Sequence, residues 1–305
     1  MAAPNFTLVQ LRYFLAVAEA GSMTAASRTL MVSQSAISTA VAHLEKELGV
    51  QLAIRHHARG LTLTKSGESF LSELRSFLIH ADDLTEAARG LGGSLVGDLT
   101  LGCFSTISPF YLPRLLAAYE QRHPQVHVTV FEDEHAYLLR ALREGRCEVA
   151  LLYGYDLGPD VRYEVLDRIP PYVLVAHNHR LARRAAVRLR ELAEEPMVLL
   201  DLPHSREYFR RILESAEVEP TVRRTSANYE TIRALVAHGQ GWSLLNQQPR
   251  SNTTYDGTMV AALRLKDPVP PLDLVLAAPA SVRPTRRVVA FADCARQVLI
   301  DGTAD

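Results

Sequence analysis

Residues 22–67 constrain this chain more than any other stretch. They read SMTAASRTLMVSQSAISTAVAHLEKELGVQLAIRHHARGLTLTKSG, which predicts two short helices joined by a tight turn and followed by a β-hairpin. That order is a winged helix-turn-helix, a shape that reads DNA. In the first helix, Met23–Leu30, Ala25 and Ala26 are small enough for a second helix to cross closely. Ser33 is a natural N-cap, because its hydroxyl can satisfy a free backbone N–H. Behind it Ile37, Val41, Leu44 and Leu48 recur at helical spacing and mark a buried face. Gly49 supplies the stop. Ser35, Ser38, Thr39 and Ala42 share a small, polar face that can enter a major groove. Gln34 sits at the helix start, where it can pair with adenine. Gln51–Ile54 and Leu61–Thr64 form the arms of the wing, and Arg55-His56-His57-Ala58-Arg59-Gly60 forms a basic tip suited to phosphates or a minor groove. The candidate DNA contacts are therefore Gln34, Ser35, Ser38, Thr39, Arg55 and Arg59.

Several short motifs in this region resemble the LysR-type transcriptional regulator family. They are Leu11-Arg12-Tyr13-Phe14, Ala25-Ala26, Ser33-Gln34-Ser35-Ala36-Ile37-Ser38, Leu44-Glu45-Lys46-Glu47-Leu48-Gly49 and Leu61-Thr62-Leu63-Thr64-Lys65-Ser66-Gly67. The resemblance is dense over the first 67 residues and looser to the C-terminus. The chain departs from it at Thr39, where the family often carries a basic residue, and at Ala53, where it favours Phe. The resemblance implies a partner in double-stranded operator DNA, a linker helix, a two-lobed effector domain and a homotetramer. It leaves RNA polymerase open as a further partner.

Composition agrees with such a protein. A chain of 305 residues is long enough for two or three domains, and 48% hydrophobic residues supply real cores. A formal charge of −1 excludes a polybasic nucleic-acid coat, so DNA affinity must come from a local patch and from several copies. Cys103, Cys147 and Cys294 are odd in number and lack metal spacing. They read as buried free thiols in a reducing compartment rather than as a redox switch. The N-terminal MAAPNF lacks a signal pattern and no apolar run reaches membrane-span length. The expectation is a cytoplasmic protein with no membrane partner.

From Glu68 to Arg89 the spacing predicts one long amphipathic helix. Leu71, Leu74, Leu78, Ala81 and Ala88 fall on a heptad seam, with Phe70, Phe77, Leu84 and Leu91 beside it. A stripe this broad calls for a cover, either the chain's own body or a partner helix. The second is the expectation, a homodimer helix. Gly90, Gly92, Gly93 and Gly97 then form a hinge. From about residue 95 strands and helices alternate, beginning with a βαβαβ unit over Leu99–Tyr153. The chain is expected to leave this lobe near Val161–Leu166 and to return along Met259–Leu265. The fold class is thus an N-terminal all-α winged helix-turn-helix with a long linker helix, then a two-lobed α/β effector domain resembling periplasmic binding proteins. The boundaries are 1–67 for the DNA-binding domain, 68–94 for linker helix and hinge, and 95–305 for the effector domain. Within the last, lobe I takes about 95–163 and 268–305, and lobe II about 164–267.

The competing class is a solute-binding or enzymatic α/β protein whose helical N-terminus binds no DNA. No nucleophile elbow, P-loop or zinc-binding helix appears, so no enzyme, cofactor or metal is expected. Gly239-Gln240-Gly241 follows a helix and precedes a strand, the wrong order for a dinucleotide loop. In open α/β sheets ligands sit beyond strand ends, against helix N-termini. That rule selects Ser105 and Thr106 after the first strand, His135 after the second and Tyr153 at the end of the third. In the other lobe it selects Pro203, His204, Ser205 and Tyr229. By resemblance Thr106, His135, Tyr153 and the 203–205 loop lie where the family grips its effectors. The expected ligand is a small carboxylate or aromatic metabolite.

Overall fold

Helix α1 (Leu8–Ala20) starts from a capping box. The Gln10 N–H donates to Thr7 Oγ1 at 3.3 Å, and the Thr7 N–H donates to Gln10 Oε1 at 2.8 Å. Ser22 and Ser33 cap α2 (Met23–Leu30) and α3 (Gln34–Leu48), and Gly49 ends α3 as the sequence predicts. Phe14, Val17, Ala26, Ile37, Val41 and Leu44 are completely buried where the three helices meet. The wing is β1 (Ala53–His56) paired antiparallel with β2 (Gly60–Leu63), with Ala53 opposite Leu63. The computed structural model describes residues 5–56, 60–89 and 95–299. Within it α4 (Lys65–Arg89) begins three residues before the predicted Glu68.

The predicted dimer seam requires a correction. Leu71, Leu74 and Leu78 are buried within their own chain, in one cluster with Leu11, Phe14 and Val17. The Phe14 and Phe70 rings lie 5.6 Å apart. Heptad spacing shows which residues share a helix face, but not which body covers that face. Here α1 covers it. The large apolar side chains left in solvent on the described part of α4 are Phe77 and Leu84, 52% and 73% exposed and two turns apart. The predicted Leu91 and the glycines at 90, 92 and 93 lie outside the described residues.

The effector domain opens with β3 (Gly97–Phe104), α5 (Ser108–Arg122), β4 (Val126–Asp133), α6 (His135–Arg143) and β5 (Val149–Tyr153). β3 pairs in parallel with both β4 and β5. Next come β6 (Val161–Ile169), β7 (Tyr172–Ala176), β8 (Ala186–Val187) and β9 (Met197–Leu200). They are followed by α7 (Pro203–Ser215), β10 (Val222–Ser226), α8 (Tyr229–Ala237) and β11 (Ser243–Leu245). β12 (Val260–Leu265), β13 (Leu272–Pro279) and α9 (Arg286–Leu299) complete the domain. Lobe I is a five-stranded sheet in the order β4-β3-β5-β13-β6. Lobe II holds the sheet β11-β7-β12-β8 and the parallel pair β9–β10, linked by a bridge from Met197 to Trp242. β5 and β7 are buried along their whole length, which explains their unbroken apolar sequence.

The two crossings are displaced from the sequence expectation. β6 pairs with β13 along its length, so Val161–Ile169 belongs to the sheet of lobe I. β12 pairs with β7 and β8, so Val260–Leu265 belongs to lobe II. The chain crosses instead at Pro170-Pro171 and over residues 266–271, where Pro268, Pro270 and Pro271 stand. Proline donates no N–H to a sheet and breaks the ladder there. No described helix is long and apolar enough to cross a membrane.

Candidate functional site

The exposed face of α3 and the wing form one surface. Gln34, Ser35 and Thr39 are exposed and Ser38 is half-buried. The Arg55 guanidinium reaches back from β1 and donates from Nη1 to Ser38 Oγ at 3.0 Å. Thr24 Oγ1 donates to Gln34 Oε1 at 3.4 Å, and the Ser33 and Ser35 hydroxyls lie 3.0 Å apart. Five of the six predicted DNA contacts thus share one face. The sixth, Arg59, lies outside the described residues. The face offers amide, hydroxyl and guanidinium groups, which suit base edges and phosphates.

A second site lies between the lobes. Thr106 and Tyr153 from lobe I meet Ser205, Tyr229, Asn246 and Gln247 from lobe II, with Leu200, Phe209 and Leu245 as apolar wall. They enclose about 10 Å³ open to the centre of a water molecule, room for about one water. The lobes are therefore closed on each other. Gln247 joins them: its Nε2 donates to the Tyr153 hydroxyl at 3.1 Å. Its carbonyl oxygen accepts from Tyr172 Oη at 2.9 Å and also from Tyr229 Oη. Thr106 Oγ1 lies beside the Tyr153 hydroxyl but completes no hydrogen bond of normal geometry. No charged side chain lines the cavity. Burial pushes the Tyr153 and Tyr229 phenols above their ordinary range, so they stay neutral.

A ring stack flanks this cavity. His135, at the first position of α6, is 1% exposed. Its ring lies 4.5 Å from Tyr155 and 4.7 Å from His204 of the opposite lobe. His135 Nε2 sits 3.0 Å from the Tyr155 carbonyl, which fixes that nitrogen as the donor, and Nδ1 has no partner. His204 Nδ1 lies 3.5 Å from Asp156 Oδ2. Burial first, and the neighbouring His204 second, lower the His135 pKa from 6.5 to about 4.

This shift predicts a pH dependence. An unfolded histidine takes up its proton near pH 6.5, whereas the folded site resists until about pH 4. The contribution of neutral His135 is fully present above 6.5 and is lost as pH falls towards 4. The gap corresponds to about 3 kcal/mol. Urea melts at pH 7.5 and 4.5 should show wild type losing about that much more stability than His135→Phe. Equal losses would show that His135 takes its proton as readily folded as unfolded.

The remaining predicted residues fall differently. Ser105 is exposed, and its N–H donates to the Asp133 carbonyl at 3.3 Å, so it does not line the cavity. Pro203 is exposed, sets the first turn of α7 and does not line the cavity. Tyr155 stands two residues past Tyr153, and the strand-end selection missed Asn246 and Gln247. The last two follow the end of β11, where the same strand-end rule would have found them. No group of three His, Cys, Asp or Glu among the described residues is placed to hold a metal. Burial pushes the Cys103 and Cys147 thiols up to about 12 and raises that of Cys294.

Comparisons with known proteins cover both sites. The family described as "LysR substrate binding domain" matches residues 92–300. The family described as "Bacterial regulatory helix-turn-helix protein, lysR family" matches residues 8–68. A probable hydrogen peroxide-inducible genes activator of Streptomyces viridosporus is 34% identical over 277 residues, covering 89% of this chain and 87% of that protein. The uncharacterised HTH-type regulator YvbU of Bacillus subtilis is 27% identical over 294 residues, covering 96% of this chain and 98% of YvbU. Among solved structures, HinK, a LysR family regulator from Pseudomonas aeruginosa, is 36% identical with a TM-score of 0.65, covering 97% of this chain and 99% of HinK. A full-length OxyR variant from the same organism is 27% identical with a TM-score of 0.76, covering 96% and 98%.

Proposed function

The chain belongs to the LysR family of DNA-binding transcriptional regulators, and from that premise we propose how its two sites divide the work. The N-terminal body reads operator DNA through Gln34, Ser35, Ser38 and Thr39 on α3, with Arg55 and Arg59 of the wing on the phosphates or the neighbouring groove. The cleft binds the effector between Thr106 and Tyr153 on one side and Ser205, Tyr229 and Gln247 on the other. The protein acts in the cytoplasm as a homodimer through the Phe77–Leu84 face of α4, and dimers pair into a tetramer. The observation that carries the effector site is the convergence of polar groups from both lobes on one closed cavity. A ligand that touches both lobes selects one opening angle over the other.

The lining narrows the ligand. A carboxylate enclosed there would have no cation to offset its desolvation. The enclosed part of the effector is therefore neutral, aromatic or hydroxylated, and the acid expected from the sequence fits less well. The peroxide response named for some relatives does not transfer through thiol chemistry. Oxidation by peroxide needs an accessible thiolate, and all three cysteines are buried with raised pKa values.

Thr106→Val tests the site. It keeps the shape and removes one hydroxyl. A reporter driven by the native promoter, in cells given a panel of aromatic alcohols and acids, should need about five- to tenfold more inducer. Binding to DNA without effector should stay unchanged. A variant that responds as wild type would place the ligand elsewhere.

A further inference from the structure

We propose that α6 couples the effector cleft to the DNA-reading body within a single chain. This rests on the effector reading above and concerns its transmission. The two ends of α6 make different contacts. Its first residue, His135, meets His204 of the opposite lobe, 4.7 Å away ring to ring. At its other end the backbone carbonyls face α4. Ser72 Oγ donates to the Arg143 carbonyl at 2.6 Å, and Arg75 Nη1 donates to the Glu144 carbonyl at 3.1 Å. A cation suits that position, because unpaired carbonyls give a helix C-terminus partial negative charge.

Arg75 joins three helices. It belongs to α4, it holds the end of α6, and its Nη2 lies 3.5 Å from Glu19 Oε1 at the end of α1. Its side chain is only 14% exposed. Gly145, just past α6, permits this approach: its φ is +63°, and a Cβ there would lie 3.1 Å from Arg75 Cβ and 3.2 Å from the Ser72 carbonyl oxygen. Between its ends α6 is rigid. Nine residues of helix span roughly 13 Å, and Leu138, Leu139, Ala141 and Leu142 seat it in the core of lobe I. Opening the cleft withdraws His204 from one end of this rod, and the resulting tilt is delivered at the other end to Arg75, and through Glu19 to the DNA reader.

A second contact keeps the bodies together when this one is cut. His80 Nε2 lies 2.8 Å from the Arg283 carbonyl, and Asp83 pairs with the buried Arg287 at 3.4 Å. Removing Arg75 contacts should therefore uncouple the bodies without separating them.

The test is a double-mutant cycle on the full-length protein, using DNA from upstream of its own gene. His204→Ala, Arg75→Met and the double variant are compared by fluorescence anisotropy. In the wild-type background His204→Ala should change the dissociation constant by about threefold or more, and with Arg75→Met in place by almost nothing. If Arg75→Met fails a circular-dichroism check of folding, Glu19→Ala, which cuts the same route at an exposed side chain, takes its place in the same cycle. Additive effects, or no effect of His204→Ala on DNA binding, overturn the proposal. Thr106→Val separates this from the effector reading. Lost inducer response with an additive cycle refutes the rod and keeps the cleft. A coupled cycle with normal inducer response keeps the rod and moves the ligand.

Discussion

Leu74→Asp should unfold the DNA-reading body and abolish operator binding. Leu74 is 3% exposed and packs in the cluster that holds Phe14 and Val17. Truncating such a residue costs about 2–5 kcal/mol through lost transfer energy and the cavity left behind. A carboxylate in the same place adds a desolvation cost with no partner to offset it. The sum rivals the whole stability of a small domain, about 5–15 kcal/mol. Phe77→Asp with Leu84→Asp should behave in the opposite way. Both side chains are already in solvent, so folding should change by only about 0.5 kcal/mol each. What is lost is the apolar stripe on α4, and with it the dimer. Circular-dichroism melts and light scattering on both variants read the two effects separately. A Leu74→Asp protein that melts like wild type would contradict packing within one chain. A Phe77→Asp, Leu84→Asp protein of unchanged mass would remove the stripe as an interface.

Arg55→Ala should weaken operator binding by about 1–3 kcal/mol, or roughly 5- to 150-fold. The guanidinium is exposed beside the recognition face, and it braces Ser38 on α3. Its loss removes a phosphate or groove contact and frees the wing from the helix it supports. The salt dependence of binding should fall by about one unit of slope if the partner is a phosphate. Gln34→Ala should act differently. Affinity for unrelated DNA should stay unchanged while preference for the operator shrinks, because an amide that pairs with a base carries sequence information and little charge. Anisotropy titrations at several salt concentrations separate the two patterns. Unchanged affinity and selectivity in both variants would remove this face as the DNA contact.

What the sequence disclosed follows the range of the interactions involved. Ser33 and Gly49 act through neighbours a few residues away, so their capping roles were visible without coordinates. The strand-end rule is also local, and it brought Thr106, Tyr153, Ser205 and Tyr229 to one cavity from both lobes. The errors concern partners distant in the chain. Leu71, Leu74 and Leu78 carry the same spacing whether α1 or a second copy covers them. The composition of β6 and β12 would suit either sheet, and only their pairing with β13 and β7 fixes the lobe they join. Gln247 bridges to a tyrosine 94 positions away. The closure of the cleft is likewise a relation between bodies. Composition and periodicity carry no signal for it.

Regulation by the effector depends on specific recognition of DNA by the face of α3. The most direct measurement is the ratio of dissociation constants for scrambled DNA and for DNA from upstream of the protein's own gene, at one stated salt concentration. Specific recognition predicts a ratio of about 10³ or more. Equal affinity for the two would contradict it.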